Sequence, residues 1–400
     1  MSDYLTQDLL IDILTRLPAE SLVRLTPVSK SWHSLITSPK FISQHLHLTA
    51  SNPDNDRLLV RYRSDKPKQD HYSVVLDGND SFRQLKTFDY PFDRVGYSVV
   101  GSCNGLICLS DDQYCYRDNM FLWNPSIRKF FAMPRYNVTF KSHGPFAHCL
   151  GFGFDPVTDD FKVVRVVQTG EDCDSIPPEV EIYTLKTGRW RYISEKALPL
   201  MIVERYRQAY VNGAAHWMAF HQGTLLTCFH YTILSFNMSD EVFNEILVPD
   251  SITHEGSLVV FKESLSLFQH CVNDNDQHYS VWMMKEYGVA TSWAKLFRID
   301  RGGLWRPLGL RKNGEVIFST RDEDLVSCDY QSKQITYLGI HGTSGNAYSN
   351  WHAFYTDTYA ESLVLLNKLE SPENTVVRGQ NKKNKEEEEE EKKQNEAGSK

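Results

Sequence analysis

Eight cysteines, fourteen histidines and several doublets of acidic residues are the groups in this 400-residue chain whose types could do chemistry. Cys103 and Cys108 are spaced like half of a metal site, but no second ligand pair follows at zinc-finger spacing. His216, His221 and His230 gather loosely, without the i, i+4 geometry or carboxylate partners of a metal centre. Asp111-Asp112, Asp159-Asp160 and Glu171-Asp172 are paired acids of the kind general acid–base chemistry uses, yet each sits in turn-rich sequence where a solvated loop explains it. Gly151-Phe152-Gly153 lacks the third glycine of a dinucleotide loop, and neither GxxxxGK[ST] nor GxSxG occurs. The expectation is a chain with no catalytic residues, no metal and no cofactor. Whatever it does, it does by binding.

Composition narrows what it binds. The net charge of −8 excludes the basic footprint of a nucleic-acid-binding surface. Residues 381–400 hold six Lys and seven Glu, a contribution of −1, so the other −7 is spread through the body of the chain. That tail, with its six consecutive glutamates, has no apolar face and is expected to be disordered from 368 to 400. No segment reaches the roughly 18 apolar residues that a membrane-spanning helix needs. MSDYLTQDLL has neither the basic nor the apolar region of a signal peptide. The scattered cysteines therefore read as reduced, buried thiols, and the sequons at Asn79, Asn137 and Asn237 as unused. The expected location is cytoplasm or nucleus.

The binding elements lie at the two ends of a change in pattern. At the start, Leu9, Leu10, Ile13, Leu14 and Leu17 recur at helical spacing until Pro18 stops them. Leu22 and Leu25 mark a second short helix; Val28, Trp32, Leu35 and Ile36 mark a third, with Pro39 as its stop. One amphipathic leucine helix is ordinarily just core. Here about 45 residues in three or four short helices cannot bury so much apolar surface among themselves. Leu9, Ile13, Leu14, Leu17, Pro18, Leu22, Val28 and Trp32 are expected to straddle a small core and a docking face.

A turn-rich linker is expected at 49–57, and from 58 to 367 the period changes from helical to strand-like. Runs such as Phe161–Val167 and Glu315–Phe318 alternate with Gly, Asn, Asp and Pro. Five segments share one plan of strand, polar turn and strand. Taking Trp123, Tyr183, Phe236, Met283 and Asp329 as equivalents, they recur at intervals of 60, 53, 47 and 46 residues. A four-stranded propeller blade takes about 40–50 residues. Each two-strand segment is the expected outer hairpin of a blade, and Leu58–Asp89 supplies one more, giving a β-propeller-like domain of about six blades. Trp123, Trp190, Trp217, Trp282 and Trp293 are expected to pack between blades. The fold class is multidomain: a small three- or four-helix unit at 1–48, then an all-β ring.

Two resemblances bear on this plan. Asp8-Leu9-Leu10, Ile13-Leu14, Leu17-Pro18, Ser21-Leu22-Val23-Arg24, Val28-Ser29-Lys30-Ser31-Trp32 and Leu35-Ile36 together resemble the F-box, the adaptor-binding module of cullin-type ubiquitin ligases. Thr6 stands where that family usually has Pro and can cap the first helix; Pro27 replaces a small residue and is tolerated where it opens the next one. Gly101-Ser102-Cys103-Asn104-Gly105-Leu106, Leu122-Trp123-Asn124-Pro125-Ser126, Gly151-Phe152-Gly153-Phe154-Asp155 and Val211-Asn212-Gly213-Ala214-Ala215-His216-Trp217 are similar to the F-box-associated domain of plant F-box proteins. The two together cover roughly residues 5–367. The resemblance implies a non-catalytic substrate receptor that holds a Skp-type adaptor and, through it, a cullin scaffold. The ring would hold an unidentified protein target on rim loops such as Arg135–Pro145, Glu171–Pro178 and His341–Asn350. Of the family's branches, immune-receptor turnover is nearer than self-incompatibility. The rival readings are a non-degradative adaptor-binding scaffold and a propeller enzyme.

Overall fold

The computed structural model describes residues 6–368, except 51–56, 66–67, 79–80, 93–96, 112–118, 144–145, 169–176, 204–206, 223–228, 262, 274–275 and 344–353. Four helices open the chain: α1 (Gln7–Thr15), α2 (Ala19–Leu25), α3 (Lys30–Ile36) and α4 (Pro39–Ala50). Their boundaries have local causes. Thr6 caps α1, its side chain accepting from Leu9 N–H, and Ser29 caps α3 by accepting from Trp32 N–H at 3.1 Å. Pro18 lies between α1 and α2, and Pro27 in a 3₁₀ turn before α3, so neither removes a needed helical donor. Pro39 is both the stop after α3 and the first residue of α4, where its fixed φ suits a helix start. Helix α4 runs past the expected boundary at 48, and most of the expected linker, like the tail from 369, lies outside the described residues.

The rest is a ring of six antiparallel sheets. Blade 1 combines β1 (Arg57–Asp65), β2 (Lys68–Asp77) and β3 (Phe82–Phe88) with the last strand, β25 (Phe354–Thr358). Blade 2 is β4 (Ser98–Cys103), β5 (Leu106–Ser110), β6 (Met120–Asn124) and β7 (Lys129–Ala132). Blade 3 is β8 (Ala147–Asp155), β9 (Asp160–Gln168), β10 (Glu179–Thr184) and β11 (Arg189–Tyr192). Blade 4 has β12 (Met201–Ile202) and β13 (Ala209–Val211) end to end along one edge of β14 (Ala214–Gln222), then β15 (Phe229–Asn237) and β16 (Val242–Leu247). Blade 5 is β17 (Gly256–Phe261), β18 (Ser264–Asn273), β19 (Asp276–Met284) and β20 (Trp293–Asp300); blade 6 is β21 (Leu304–Leu310), β22 (Val316–Thr320), β23 (Asp324–Cys328) and β24 (Ile335–His341). All five repeated two-strand segments are the outer hairpins of blades 2 to 6.

The inner end of blade 1 is supplied by β25, which pairs with β1 and so fastens the end of the ring to its beginning. Arg311 of blade 6 reinforces that seam, its Nε donating to Asp77 Oδ1 of blade 1 at 2.8 Å and its Nη2 to Gly78 O at 2.9 Å. Elsewhere inner strands are stitched by side chains that imitate a β-ladder. The Gln208 amide accepts from Phe152 N–H at 2.8 Å and donates to Phe152 O at 2.7 Å; the Tyr210 hydroxyl does the same at Phe154. A Cβ on Gly101 or Gly153 would come within 2.2 Å of the Gln208 amide or the Tyr210 ring, so glycine at these two positions leaves room for the bridging side chains.

The core consists of six apolar wedges, one in each seam between blades. The five tryptophans expected between blades lie in or against these wedges, Trp123 between blades 1 and 2 and Trp217 between 3 and 4. Three indole N–H groups bridge the seams: Trp217 donates to Leu150 O at 3.0 Å, Trp293 to Leu247 O at 3.1 Å and Trp190 to Pro134 O at 2.7 Å. Pairing the N–H removes the penalty of burying it, so each ring contributes its full apolar area. The wedge between blades 2 and 3 does not stop at the ring. It continues through Leu363, Val364 and Leu365 into Leu14, Ala19, Leu22, Ile36, Phe41, Ile42 and Leu46 of the helices.

Candidate functional site

The helical unit has one face against the ring and one against solvent. Its inward face is fixed by the segment after β25. Glu361 accepts from Ala19 N–H at 3.2 Å and from Arg57 Nη1 at 2.8 Å, while its carbonyl accepts from Thr49 Oγ1 at 3.0 Å. The segment is itself held by Asn124, a fully buried side chain whose Nδ2 donates to Ser362 O at 3.0 Å and Val364 O at 2.8 Å. Glu20 pairs with Lys86 at 2.6 Å, and that hydrogen bond together with the charges of Lys86 and Arg24 lowers the Glu20 pKa. His45, buried within the unit, bonds Leu17 O through Nε2 at 3.0 Å, and burial lowers its pKa.

The eight residues singled out from the sequence divide between these faces. Leu9 and Ile13, one turn apart on α1, are 47% and 43% exposed, and Val28 is 60% exposed. Pro18 is exposed beside them in sequence, and Leu17 and Trp32 are half-buried against the shared wedge. Leu14 and Leu22 are buried, at 2% and 0%, in the wedge that joins the helices to the ring, on the core side of the set. The reason is that the ring, absent from any reading of the helices alone, covers one of their two apolar sides. What stays exposed of the set is Leu9, Ile13, Pro18 and Val28, with Leu17 and Trp32 half-buried.

The ring likewise has two unlike faces. Strands alternate in direction within a blade, so successive connections alternate between faces. Helix α2 packs on the turn Pro125–Ile127, Ser43 reaches Asp159 in the β8–β9 turn, and Glu361 follows β25. The helices therefore sit on the face of the inner turns equivalent to β4–β5 and of the outer hairpin turns, most of them short. Two of those turns, Asn104-Gly105 and Asn212-Gly213, have both residues at positive φ, the conformation of tight hairpin turns. The long connections leave from the opposite face. The three rim segments named above belong there: the strand ends flanking them, such as Ala132, Gln168, Glu179 and His341, all point away from the helices. Residues 144–145, 171–176 and 344–350 of those segments lie outside the described residues.

The groups first considered for chemistry take structural places. His216 is fully buried, its Nδ1–H donating to Ala209 O at 3.0 Å while Nε2 accepts from the Tyr287 hydroxyl at 2.8 Å; burial takes its pKa down to about 4. His221 bonds Glu245 at 2.7 Å on the outside of the same blade. Burial raises the thiol pKa of Cys103 and Cys108 far above neutrality, which leaves them unreactive thiols. Asp160 accepts from Lys186 N–H at 2.9 Å and Asp111 from Asn119 at 2.9 and 2.8 Å, each closing a turn; Asp112 and Glu171-Asp172 lie outside the described residues. Asp155 caps the β8–β9 turn and, with Glu241, holds Lys162 at 2.8 and 2.9 Å across the seam between blades 3 and 4. No helix among the described residues is long and apolar enough to cross a membrane.

Comparison with known proteins accounts for both regions. A family described as the F-box domain matches residues 3–44, and one described as the F-box associated beta propeller domain matches residues 60–366. F-box protein CPR1 of Arabidopsis thaliana is 30% identical over 83% of this chain and 84% of its own. The Arabidopsis thaliana F-box protein At3g07870 is 27% identical over 90% of this chain and 92% of its own. Among solved structures, Porphyromonas gingivalis dipeptidyl peptidase 4 aligns at a TM-score of 0.34 and 12% identity, over 70% of this chain and 46% of that one, too loose a likeness to bear on function.

Proposed function

Because the chain belongs to the F-box proteins that carry an F-box-associated β-propeller, we propose that it is the target-recognition subunit of a Skp–cullin–F-box ubiquitin ligase. The F-box implies a Skp-type adaptor and a cullin scaffold as partners. In this reading Leu9, Ile13, Pro18 and Val28, with Leu17 and Trp32, meet the adaptor, and Leu14 and Leu22 support that face from within. The target, proposed to be a protein marked for degradation in the cytoplasm or nucleus, sits on the long connections of the opposite face. The family branch resembled by the sequence makes an immune receptor the first class of target to test.

One observation supports this reading above the others: the adaptor face and the long connections are on opposite sides of a single packed body, joined by the wedge through Leu363–Leu365. Such a ligase subunit needs no catalytic group of its own. It raises the rate at which a target lysine meets the charged ubiquitin carrier by holding the two at fixed separation, replacing a chance encounter with an effectively intramolecular one. The test is quantitative proteomics on plant cells expressing either the full chain or its Leu9→Glu/Ile13→Glu variant, with and without proteasome inhibition. A set of proteins should fall with the full chain, recover on inhibition and remain unchanged with the variant. If no protein depends on both the chain and the proteasome, the degradative role is lost.

A further inference from the structure

The centre of the loop-bearing face holds a cation to which the described residues supply no counter-charge. Arg207 precedes β13, an inner strand of blade 4, and its Nη1 donates to the carbonyl of Phe354 at 3.3 Å, the first residue of β25 in blade 1. In a six-bladed ring these blades are opposite, so the side chain crosses the mouth of the central opening. Its guanidinium lies 4.9 Å from the centroid of the Tyr355 ring. Nε and Nη2, the edge suited to a two-oxygen acceptor, are shielded from solvent and bond to none of the described residues.

The charged groups around it do not compensate. Asp70 is engaged by Arg61 at 2.5 Å and Arg63 at 3.0 Å. Asp357 accepts from the Tyr355 hydroxyl at 2.6 Å and from Thr358 N–H at 2.8 Å. Among the described residues no carboxylate pairs with Arg207. Arg306, on β21 of blade 6, and Arg61, on β1 of blade 1, instead add positive charge nearby. Burial first, then Arg306 and Arg61, bring the Arg207 pKa down to about 9, which still leaves it a cation at neutral pH. A buried donor edge with no acceptor is rare in native proteins, and a buried cation with like neighbours rarer still, unless a ligand completes it.

We infer that the mouth of the central opening is an oxyanion-binding site, in which the Nε–Nη2 edge of Arg207 receives two oxygens of a carboxylate or phosphate group presented by the bound target. A guanidinium suits this role because its paired N–H groups match the spacing of two oxygens on one anion. Arg306 and Arg61 supply a field that favours the anion without contacting it. Because the edge is shielded, entry requires local movement of the side chains around it, so binding is expected to be slower than diffusion. The identity of the donor as a target protein rests on the proposed function; the site itself does not.

The experiment uses the full chain in complex with a Skp-type adaptor and follows thermal unfolding in chloride, acetate or inorganic phosphate at equal ionic strength. Binding to the folded state raises the midpoint, by about 2 °C or more near saturation. A rise in acetate identifies a carboxylate site and a rise confined to phosphate identifies a phosphate site. Arg207→Gln should abolish the rise while leaving adaptor affinity unchanged, which separates failure of this site from failure of the ligase reading. If Arg207→Gln does not fold, Arg207→Lys, which keeps the charge and loses the fork, should weaken the rise. No rise in either anion, or a rise equal in wild type and variant, overturns the proposal.

Discussion

Trp217 in the ring and Leu9 in the helices are both large apolar side chains, and the chain treats them in opposite ways. Trp217 is 1% exposed, wedged between blades 3 and 4 with its N–H bonded to Leu150. Leu9 is 47% exposed on a helix whose other side is buried. Every seam of the ring has its own wedge, indole bonds cross three of the seams, and the return of β25 closes the ring. The helices are covered on one side, by the ring, and Leu9, Ile13 and Val28 stay bare on the other. The ring exposes apolar side chains too, Val157 and Leu247 among them; on the helices Leu9 and Ile13 lie one turn apart on a unit whose other side is packed, as in a partner-binding surface.

The contrast can be broken most severely in the ring. Trp217→Ala should cost about 3–5 kcal/mol, since the seam between two blades cannot collapse onto the space left behind. Chemical denaturation measures it, and a variant as stable as the wild type would show that the wedges are not what holds the ring together.

A second test uses protons. The folded-state pKa of His216 is depressed to about 4, against an unfolded value near 6.5. Its burial is therefore tolerated above about pH 6.5, and stability falls as the pH drops from there toward 4, because only the unfolded chain takes up the proton readily. The loss across that window should approach roughly 3 kcal/mol. Stability measured at steps of pH should show it in the wild type and show a shallower slope in His216→Gln. Equal slopes would assign the acid sensitivity to other groups.

The mildest change sharpens the other half of the contrast. Leu9→Ser removes an exposed side chain, so it should move folding stability by no more than about 0.5 kcal/mol. A much larger loss in thermal or chemical unfolding would mean that Leu9 belongs to a core after all.

How far this contrast could be read in the sequence depends on the range of the interactions. The helices and the six blades were legible because their signals are local: leucines at helical spacing, prolines at helix ends, and a strand–turn–strand segment recurring from Trp123 to Asp329. The caps at Thr6 and Ser29 follow from the same local rules. The two faces of the helices were not separable, since Leu9 and Leu14 look alike until the ring covers one of them. Nothing near Glu361 marks it as the fastening of α2, because its partner Ala19 is 342 residues away. Gln208 and Arg207 reach partners 56 and 147 residues away, and their roles depend on blade positions that only the closed ring defines.

The account rests on the outward face of the helices being a docking surface, and adaptor binding measures that directly. Calorimetric titration of a purified Skp-type adaptor into the full chain, and into Leu9→Glu/Ile13→Glu, should give tight association for the first. The second should bind at least about 100-fold more weakly, with its unfolding midpoint unchanged, as expected for two apolar contacts worth about 2 kcal/mol or more each. Equal affinity for both proteins, or no association with the wild type, would contradict it.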